Sequence, residues 1–146
     1  MKKQYLVKSI DNHPSYTLLR LIPADDKALD FQSGQYIALS VNSSGKSPVR
    51  CFSITSAPGQ TELEVAFRRD GQSTKWLANI CQGTTAEVYG PYGEFVLNGA
   101  GPVALLSGGI GITPFVSIVR SQNSAPSSQR IAMLASARRK NDIPFI

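Results

Sequence analysis

The sequence has few of the residues that build metal centres or disulfide frameworks. It contains one histidine, His13, and two cysteines, Cys51 and Cys81, far apart in its 146 residues. A structural zinc site takes about four closely spaced ligands, and disulfide-rich domains carry several cysteine pairs. The sequence therefore predicts neither a metal site nor a disulfide scaffold.

Long apolar runs are also missing. The longest, "PVALL" and "IGITPFVSIV", are shorter than the ~18 residues of a membrane helix, and the second contains glycine and proline. The N-terminus "MKKQYLVKSIDNHP" carries lysines but lacks the apolar segment of a secretory signal. We therefore expect a cytoplasmic protein with no membrane span.

The net charge of +5 is spread along the chain and forms no basic stripe. Lysines and arginines occur in ones, twos and one "RRK", without the interleaved aromatic residues of a groove that follows a nucleic-acid backbone. This pattern argues against nucleic-acid binding. An acidic protein partner or a phosphate-bearing cofactor accounts for the sign of the charge equally well.

Before residue 100 the sequence is typical of short antiparallel strands. Six segments alternate apolar and polar residues, namely "YLVKSI", "YTLLRLI", "QYIALSV", "RCFSIT", "LEVAFR" and "AEVYG", with turn-rich stretches such as "NSSGKSP" between them. This spacing predicts a small barrel or sandwich. One helix is predicted in "GQSTKWLANICQG", with Ser73 or Thr74 as its N-cap and Gly83 ending it.

After residue 100 the pattern changes to strand, glycine turn, helix and strand. "PVALLS" and "RIAMLAS" are continuous apolar runs of the kind that parallel sheets bury on both faces. Between them, "TPFVSIVRSQ" places Phe115, Ile118 and Val119 at helical spacing. We expect a βαβ unit that follows the linker "NGAG" at residues 98–101.

The glycine turn of this unit is a candidate phosphate site. Gly108, Gly109 and Gly111 lie where a strand turns into a helix, so that backbone N–H groups can approach an anion. Thr113 is a suitable N-cap and Pro114 a suitable first helical residue. The alternative is a tight strand-to-helix connection with no ligand, because the third glycine of G-x-G-x-x-G is absent.

The second apolar run of the unit ends in "ARRK", where a dinucleotide site for NAD would carry an acidic residue. Arg138 and Arg139 offer partners for the 2′-phosphate of NADP. The alternative is a strand end exposed to solvent, which is the more usual role of such a run of charges.

The stretch "RCFSITSAP" sets unusual side chains in a predicted strand. Arg50 offers a planar fork for a pyrophosphate, Phe52 a stacking face and Ser53 a hydroxyl for a ring nitrogen. A flavin dinucleotide needs these three groups. The alternative is an edge strand with an exposed arginine and a core phenylalanine.

Four motifs in order give the chain a resemblance to the ferredoxin–NADP⁺ reductase family. "RCFS" resembles its Arg-x-Tyr-Ser flavin motif, "GQST" its second flavin-phosphate turn, "GPYGEF" its barrel-closing loop and "GGIGITPF" its nicotinamide-nucleotide turn. The resemblance implies a six-stranded antiparallel Greek-key barrel that binds FAD, with one short helix, followed by the first βαβ unit of a nucleotide-binding domain.

The resemblance also implies a role for each matching residue. Arg50 would bind the FAD pyrophosphate, Phe52 would stack on the isoalloxazine, and Ser53 would approach flavin N5. The family's tyrosine is replaced by Phe52, which keeps a stacking face but lacks the hydroxyl. The remaining cofactor-binding residues would be Gly71, Ser73 and Thr74 for the pyrophosphate, and Gly108, Gly109, Gly111, Thr113 and Pro114 for the nicotinamide nucleotide. Ser53 and Thr113 are the candidate catalytic residues.

The length predicts one full domain and part of another. Residues 1–99 would form the FAD-binding barrel, and residues 100–146 the beginning of an NAD(P)-binding Rossmann-like domain, which needs about five strands. The final "NDIPFI" is predicted to begin a further helix, with Asp142 as its cap and Pro144 in its first turn. We therefore expect a fragment of a longer reductase, with impaired activity by itself.

The expected function is hydride transfer from NAD(P)H to FAD, followed by electron delivery to a partner. That partner would be a ferredoxin, an iron–sulfur protein or domain, a haem protein or an oxygenase. Two alternatives remain at this point. One is a non-catalytic FAD-binding module, and the other is a small β-barrel for interaction or ligand binding without flavin.

Overall fold

The first two thirds of the chain form a β-barrel. The structure is a computed structural model that describes residues 2–41, 48–99, 101–124 and 129–145. The predicted "NSSGKSP" turn therefore lies largely outside the described residues. The barrel strands are β1 Lys2–Asn12, β2 Thr17–Pro23, β3 Tyr36–Val41, β4 Arg50–Ser53, β5 Leu63–Phe67 and β6 Thr85–Tyr92.

These strands make one antiparallel sheet in the order β4-β3-β6-β1-β2-β5. Strand β6 inserts between β1 and β3, as expected for a Greek key, and a single bridge between Ile54 and Val65 brings the two edge strands together. The barrel is thus nearly closed. The mainly β fold predicted from the sequence, with a short helix and a following βαβ unit, is confirmed.

The barrel interior is filled by the apolar positions of the alternating strands. Side chains two residues apart point to the same face of a strand, so every second side chain of each strand points into the core. The largest fully buried side chains of the barrel are Tyr5, Val7, Leu19, Leu21, Ile37, Leu39, Val41, Ile54, Leu63 and Val65.

The short helix α1, Gln72–Leu77, starts earlier and ends earlier than the sequence predicts. Gly71 is its N-cap, while the hydroxyl of Thr74 accepts from the Gly71 N–H at 3.2 Å. At the other end, Asn79 donates from its side chain to the Lys75 carbonyl at 2.7 Å, which ends the helix before Gly83. Neither Ser73 nor Thr74 is therefore the cap.

The second part of the chain is a βαβ unit. It comprises β7 Val103–Gly108, a 3₁₀ turn Gly109–Ile112, α2 Thr113–Ser124 and β8 Ile131–Ser136, and its two strands are parallel. Helix α2 packs Phe115 and Ile118 against Leu105. The predicted helical spacing is confirmed.

Three details of this unit differ from the prediction. Thr113 has helical backbone angles and belongs to α2, because the 3₁₀ turn already coils the chain before it, so it is not the N-cap. Burial on both faces of the strands is wrong for the described residues, since Leu106 is 70% exposed and Leu134 is 69% exposed. The expected terminal helix does not start at Asp142, where a 3₁₀ turn, Lys140–Asp142, ends.

Candidate flavin and nucleotide site

Arg50 meets the start of α1 at one end of the barrel. Its guanidinium donates from Nη2 to the Ser73 hydroxyl at 2.9 Å and from Nη1 to the Val49 carbonyl at 2.9 Å. The Arg50 side chain is exposed, so its remaining donors face outward. The structure therefore brings together two of the residues that the sequence assigns to a pyrophosphate.

Phe52 lies deeper than a stacking role suggests. Its side chain is 9% exposed and belongs to the barrel core, with its ring centroid 5.2 Å from that of Phe67. It nevertheless borders a small hollow between β4 and α1. The other residues around that hollow are Leu39, Val41, Pro48, Arg50, Ser73, Trp76 and Leu77.

The exposed aromatic rings near the motif belong to Tyr36 and Tyr92. Tyr36 is opposite Ser53 in the ladder of β3 and β4, and its ring lies 5.7 Å from that of Tyr92. The two side chains are 37% and 42% exposed. Sequence reasoning missed Tyr36, although its phase in β3, one residue before the buried Ile37, indicated an outward-facing aromatic residue.

A glycine cradle leads into α1. Nothing closer than the Thr74 hydroxyl, at 3.8 Å, would meet a side chain at Gly71. The Thr74 hydroxyl donates to the Gly71 carbonyl at 3.0 Å and so holds this turn. Gly71, Ser73 and Thr74 thus form an open backbone turn beside Arg50, with room for an anion such as a phosphate.

The second glycine turn lies at the carboxyl end of β7. Gly109 has a φ of +52°, a left-handed conformation that a glycine adopts without steric cost. Space around Gly111 is open, and only the Ser136 hydroxyl, at 3.9 Å, would meet a side chain at Gly108. Gly108 and Gly109 line a cavity of about 790 Å³.

The first residues of α2 have different surroundings. The buried Thr113 hydroxyl donates to the Ile110 carbonyl at 3.0 Å, which stabilises the 3₁₀ turn from inside. Pro114, half-buried, follows it in the first turn of α2, where its lack of an N–H is tolerated. Both residues thus shape the glycine turn, and the Thr113 hydroxyl is engaged within the protein.

Arginines from both parts of the chain border the same cavity. Arg69 is held by backbone carbonyls, including those of His13 at 2.7 Å and Tyr16 at 2.8 Å, and Arg68 pairs with Asp70 at 2.9 Å. The further charged residues around it are Arg138, Arg139 and Asp142. Four arginines against two aspartates make the wall opposite the glycine turn electropositive.

Within the described ranges, no group of three or more histidine, cysteine, aspartate or glutamate side chains is placed to hold a metal ion. Over the same residues, none of the helices has the length and apolar character required to traverse a lipid bilayer.

The family of oxidoreductase FAD-binding domains matches residues 7–97 of this sequence, which cover the barrel except for the first half of β1. The chain belongs to this family. FAD is therefore the cofactor of the barrel, and the resemblance drawn from the four motifs is confirmed. A β-barrel without flavin, one of the two alternatives, is inconsistent with this membership.

Individual relatives of this FAD-binding domain are longer proteins. A flavohemoprotein of Bacillus subtilis is 31% identical over 128 residues, which are 84% of this chain and 32% of the relative. Ferredoxin–NADP reductase B of Sorangium cellulosum is 32% identical over 127 residues, covering 84% of this chain and 52% of the relative. The chain thus spans about a third to a half of the length of these relatives.

A solved structure shares the fold across almost the whole chain. The flavohem-like FAD/NAD binding domain of nitric oxide dioxygenase from Vibrio cholerae superposes with a TM-score of 0.83 at 25% identity. The match covers 96% of this chain and 64% of that one. It therefore includes both the barrel and the βαβ unit.

Proposed function

We propose that this chain is the FAD-binding part of a flavoprotein reductase that takes hydride from NAD(P)H. The observation that carries the proposal is the contact between Arg50 and Ser73 at 2.9 Å, which joins the two flavin motifs at one end of the barrel. A guanidinium fork beside a backbone turn suits a pyrophosphate, because both offer donors to phosphate oxygens.

Residues 1–99 are the FAD domain in this proposal, and residues 100–146 are the first part of the NAD(P)-binding domain. Support comes from the exposed apolar face of β7 and β8, where Leu106 and Leu134 are about 70% exposed. Parallel sheets generally have helices over both faces. Further chain packing on that face would complete the domain.

On the flavin side, Arg50, Gly71, Ser73 and Thr74 would hold the pyrophosphate, and the Ser53 hydroxyl would serve the reactive edge of the ring. Phe52 would support the ring from the barrel core, where it is 9% exposed. The more accessible stacking face is that of Tyr36, opposite Ser53 in the sheet. We therefore add Tyr36 to the residues that contact the isoalloxazine.

On the nucleotide side, the turn from Gly108 to Gly111 receives the phosphates, with Thr113 and Pro114 fixing its shape. The guanidinium groups of Arg138 and Arg139 form no hydrogen bond or ion pair with the described residues, and both residues line the cavity beside the glycine turn. A 2′-phosphate would meet them there, which favours NADPH over NADH. If the two arginines have no role in ligand binding, the chain should bind NADPH and NADH with equal affinity.

FAD supplies the redox chemistry when bound, because it accepts a hydride, with its two electrons, and can pass the electrons on one at a time. The protein's part is to orient the two rings, to hold the Ser53 hydroxyl near the accepting nitrogen and to exclude water. The names of the relatives indicate haem and ferredoxin as electron acceptors, and an iron–sulfur partner or an oxygenase fits the same chemistry.

Substitution of Arg50 tests the flavin assignment. Arg50→Ala removes a charge-assisted contact worth about 1.5 to 3 kcal/mol, so FAD affinity should fall roughly 10- to 150-fold. Isothermal titration with FAD measures this change, and the flavin absorption bands report the bound cofactor. Arg130→Ala, at an exposed arginine outside the site, is the matched control. Equal FAD affinity in Arg50→Ala and the control would overturn the assignment.

Anaerobic addition of NADPH or NADH then separates a reductase from a non-catalytic FAD module. Loss of the oxidised-flavin absorption means that hydride reaches the flavin, and a lower half-saturating concentration for NADPH supports the role of Arg138 and Arg139. A flavin that stays oxidised with either nucleotide agrees both with the non-catalytic module and with the impaired activity expected of a partial nucleotide domain, whereas rapid reduction contradicts both.

A further inference from the structure

A buried carboxylate connects the barrel to the βαβ unit. Glu64, in β5, has a side chain that is 8% exposed. Its Oε2 accepts from Nε of Arg20 at 3.0 Å, and its Oε1 accepts from the Thr55 hydroxyl at 2.8 Å and from Nη1 of Arg120. Arg20 belongs to the barrel, whereas Arg120 belongs to α2. One carboxylate therefore holds side chains from both parts of the chain.

Two further hydrogen bonds attach α2 to the same place. Arg120 donates from Nη1 to the Thr55 carbonyl at 3.0 Å, and the fully buried Ser117 donates from its hydroxyl to the Ser56 carbonyl at 2.7 Å. Ser117 and Arg120 are three residues apart and thus share one face of α2. That face is fixed to residues 55–56.

The position of this cluster in the chain links the two candidate sites. Residues 55–56 follow the strand that carries Arg50, Phe52 and Ser53, and the Ser56 hydroxyl accepts from the Glu64 N–H at 3.2 Å. Helix α2 begins directly after the glycine turn. The cluster therefore holds residues 55–56, which follow the strand with the candidate flavin residues, against α2, which follows the glycine turn.

We propose that Glu64 is a positioning residue that sets the placement of the nucleotide turn relative to the flavin strand. The inference rests on the proposed function, because its consequence is the distance between the two reacting rings. Hydride transfer needs reacting atoms about 3 to 3.5 Å apart, and a misplacement of about 1 Å can cost ~100-fold in rate. Glu64 touches neither ring and acts through α2.

Glu64→Gln is the first test variant, because it keeps the shape of the side chain and removes its charge. Arg20 keeps an anionic partner in Asp11, so the barrel retains an ion pair on that side. The contact that weakens is therefore the one between residue 64 and Arg120. Arg120→Met is the second variant and acts from the α2 side, where the side chain is 39% exposed and a loss of folding is not expected.

Two matched controls remove a similar charge elsewhere. Glu62→Gln changes a partly exposed glutamate near Glu64 that pairs with Lys8 at the surface. Arg130→Met changes an exposed arginine just before β8. Neither control residue belongs to the flavin or nucleotide site, and both controls should behave as the unaltered protein.

The first readout is the distance between spin labels on the two parts, measured by pulsed electron resonance in the FAD-loaded protein. Cys81, exposed on the barrel, carries one label, Asn123→Cys on the exposed face of α2 carries the other, and Cys51→Ser removes the remaining thiol. Glu64→Gln and Arg120→Met should broaden or shift the distribution. An unchanged distribution in both variants would overturn the proposal.

The second readout is anaerobic flavin reduction followed by stopped flow. We expect Glu64→Gln and Arg120→Met to lower the reduction rate at saturating NADPH by about 10- to 100-fold, with a half-saturating concentration within about threefold of the original. Their combined effect should be smaller than the sum of the single effects, because both act on one contact. A rate equal to that of the controls would overturn the positioning role.

The two readouts also separate this inference from the proposed function. If the unaltered chain binds FAD but neither NADPH nor NADH reduces it, the assigned reaction loses its support in this chain. The label distances still decide whether Glu64 fixes α2 against the barrel, since they require no reaction. A changed distance together with the expected loss of rate supports both statements.

Discussion

The barrel and the βαβ unit solve the problem of burying apolar surface in different ways. The barrel curls one sheet around its own core, and the deepest side chains, such as Leu19 and Ile37, are completely buried. The unit has two strands and one helix, which covers a single face and leaves Leu106 and Leu134 exposed. The barrel therefore supplies its own stability, while the unit depends on its neighbours.

The contacts between the two parts show what this dependence involves. Besides the cluster at Glu64, the ring of Phe95 lies 5.8 Å from that of Phe115 on α2. Ile110 and Phe145 also pack against a small cluster on the barrel that includes Tyr16 and Leu18. The candidate site thus has one wall made by the barrel and one wall whose placement relies on contacts with the barrel. Substitutions that act on only one of these walls separate their contributions.

The largest effect is expected from a cavity in the barrel core. Leu21→Ala, at a fully buried position, should lower the free energy of unfolding by about 2 to 5 kcal/mol and weaken FAD binding. Leu105→Ala, at a position 4% exposed in the small core of the unit, should lower it less and leave FAD binding nearly intact. Urea unfolding followed by circular dichroism measures both. A loss from Leu105→Ala as large as that from Leu21→Ala would contradict the larger contribution of the barrel core to stability.

An intermediate effect is expected from Tyr5, whose hydroxyl is buried in the barrel without a hydrogen-bond partner among the described residues. Burial, with a smaller contribution from Asp25, raises the pKa of Tyr5 from 10.0 to about 12. Between these values the unfolded chain loses the proton and the folded chain keeps it, so stability should fall as the pH rises. The expected loss is on the order of 1 kcal/mol at pH 11 relative to pH 9.

Tyr5→Phe should remove this part of the pH dependence. The free energy of urea unfolding, measured at both pH values, gives the slope for the original protein and the variant. Tyr92→Phe, at an exposed ring, is the control and should keep the original slope. If Tyr5→Phe keeps it as well, the buried hydroxyl does not weaken the barrel at high pH.

The smallest effect on stability is expected from the open face of the unit. Leu134→Ser replaces a side chain that is 69% exposed, so the free energy of unfolding should change by no more than about 0.5 kcal/mol. Self-association should decrease, because an exposed apolar patch becomes smaller. Sedimentation velocity measures association. A loss of stability as large as that of Leu105→Ala would show that this face is already covered.

The sequence predicts the fold well because the barrel strands and the βαβ unit follow simple periodicities. It also indicates Arg50 and Ser73 as partners of one ligand, although they are 23 residues apart, and the structure places them in contact. The burial of Phe52 beside an exposed Arg50 agrees with the alternative interpretation of this stretch, a core phenylalanine on an edge strand. Alternation puts Phe52 on the same face as Arg50, and only the closing of the barrel separates a buried ring from an exposed guanidinium.

The limits of helix α1 and the role of Glu64 depend on contacts that a linear pattern does not contain. The Asn79 side chain donates to the Lys75 carbonyl, which a continuing helix would use for a backbone hydrogen bond, and α1 ends there. The presence of an asparagine alone does not predict a helix end. Glu64 lies in an alternating strand and is typical there of a solvent-facing residue. Its arginine partners are 44 and 56 residues away, so only the tertiary structure shows that it is buried and paired.

The single bridge between Ile54 and Val65 makes β4 the seam of the barrel. This seam is the place where a nearly closed sheet opens first, since few backbone hydrogen bonds must break there. The same strand carries the candidate flavin residues Arg50, Phe52 and Ser53. A cofactor that binds only the closed barrel shifts the equilibrium between the open and closed forms toward the closed form. The fraction of protein with bound cofactor and the frequency of opening at the seam therefore depend on each other.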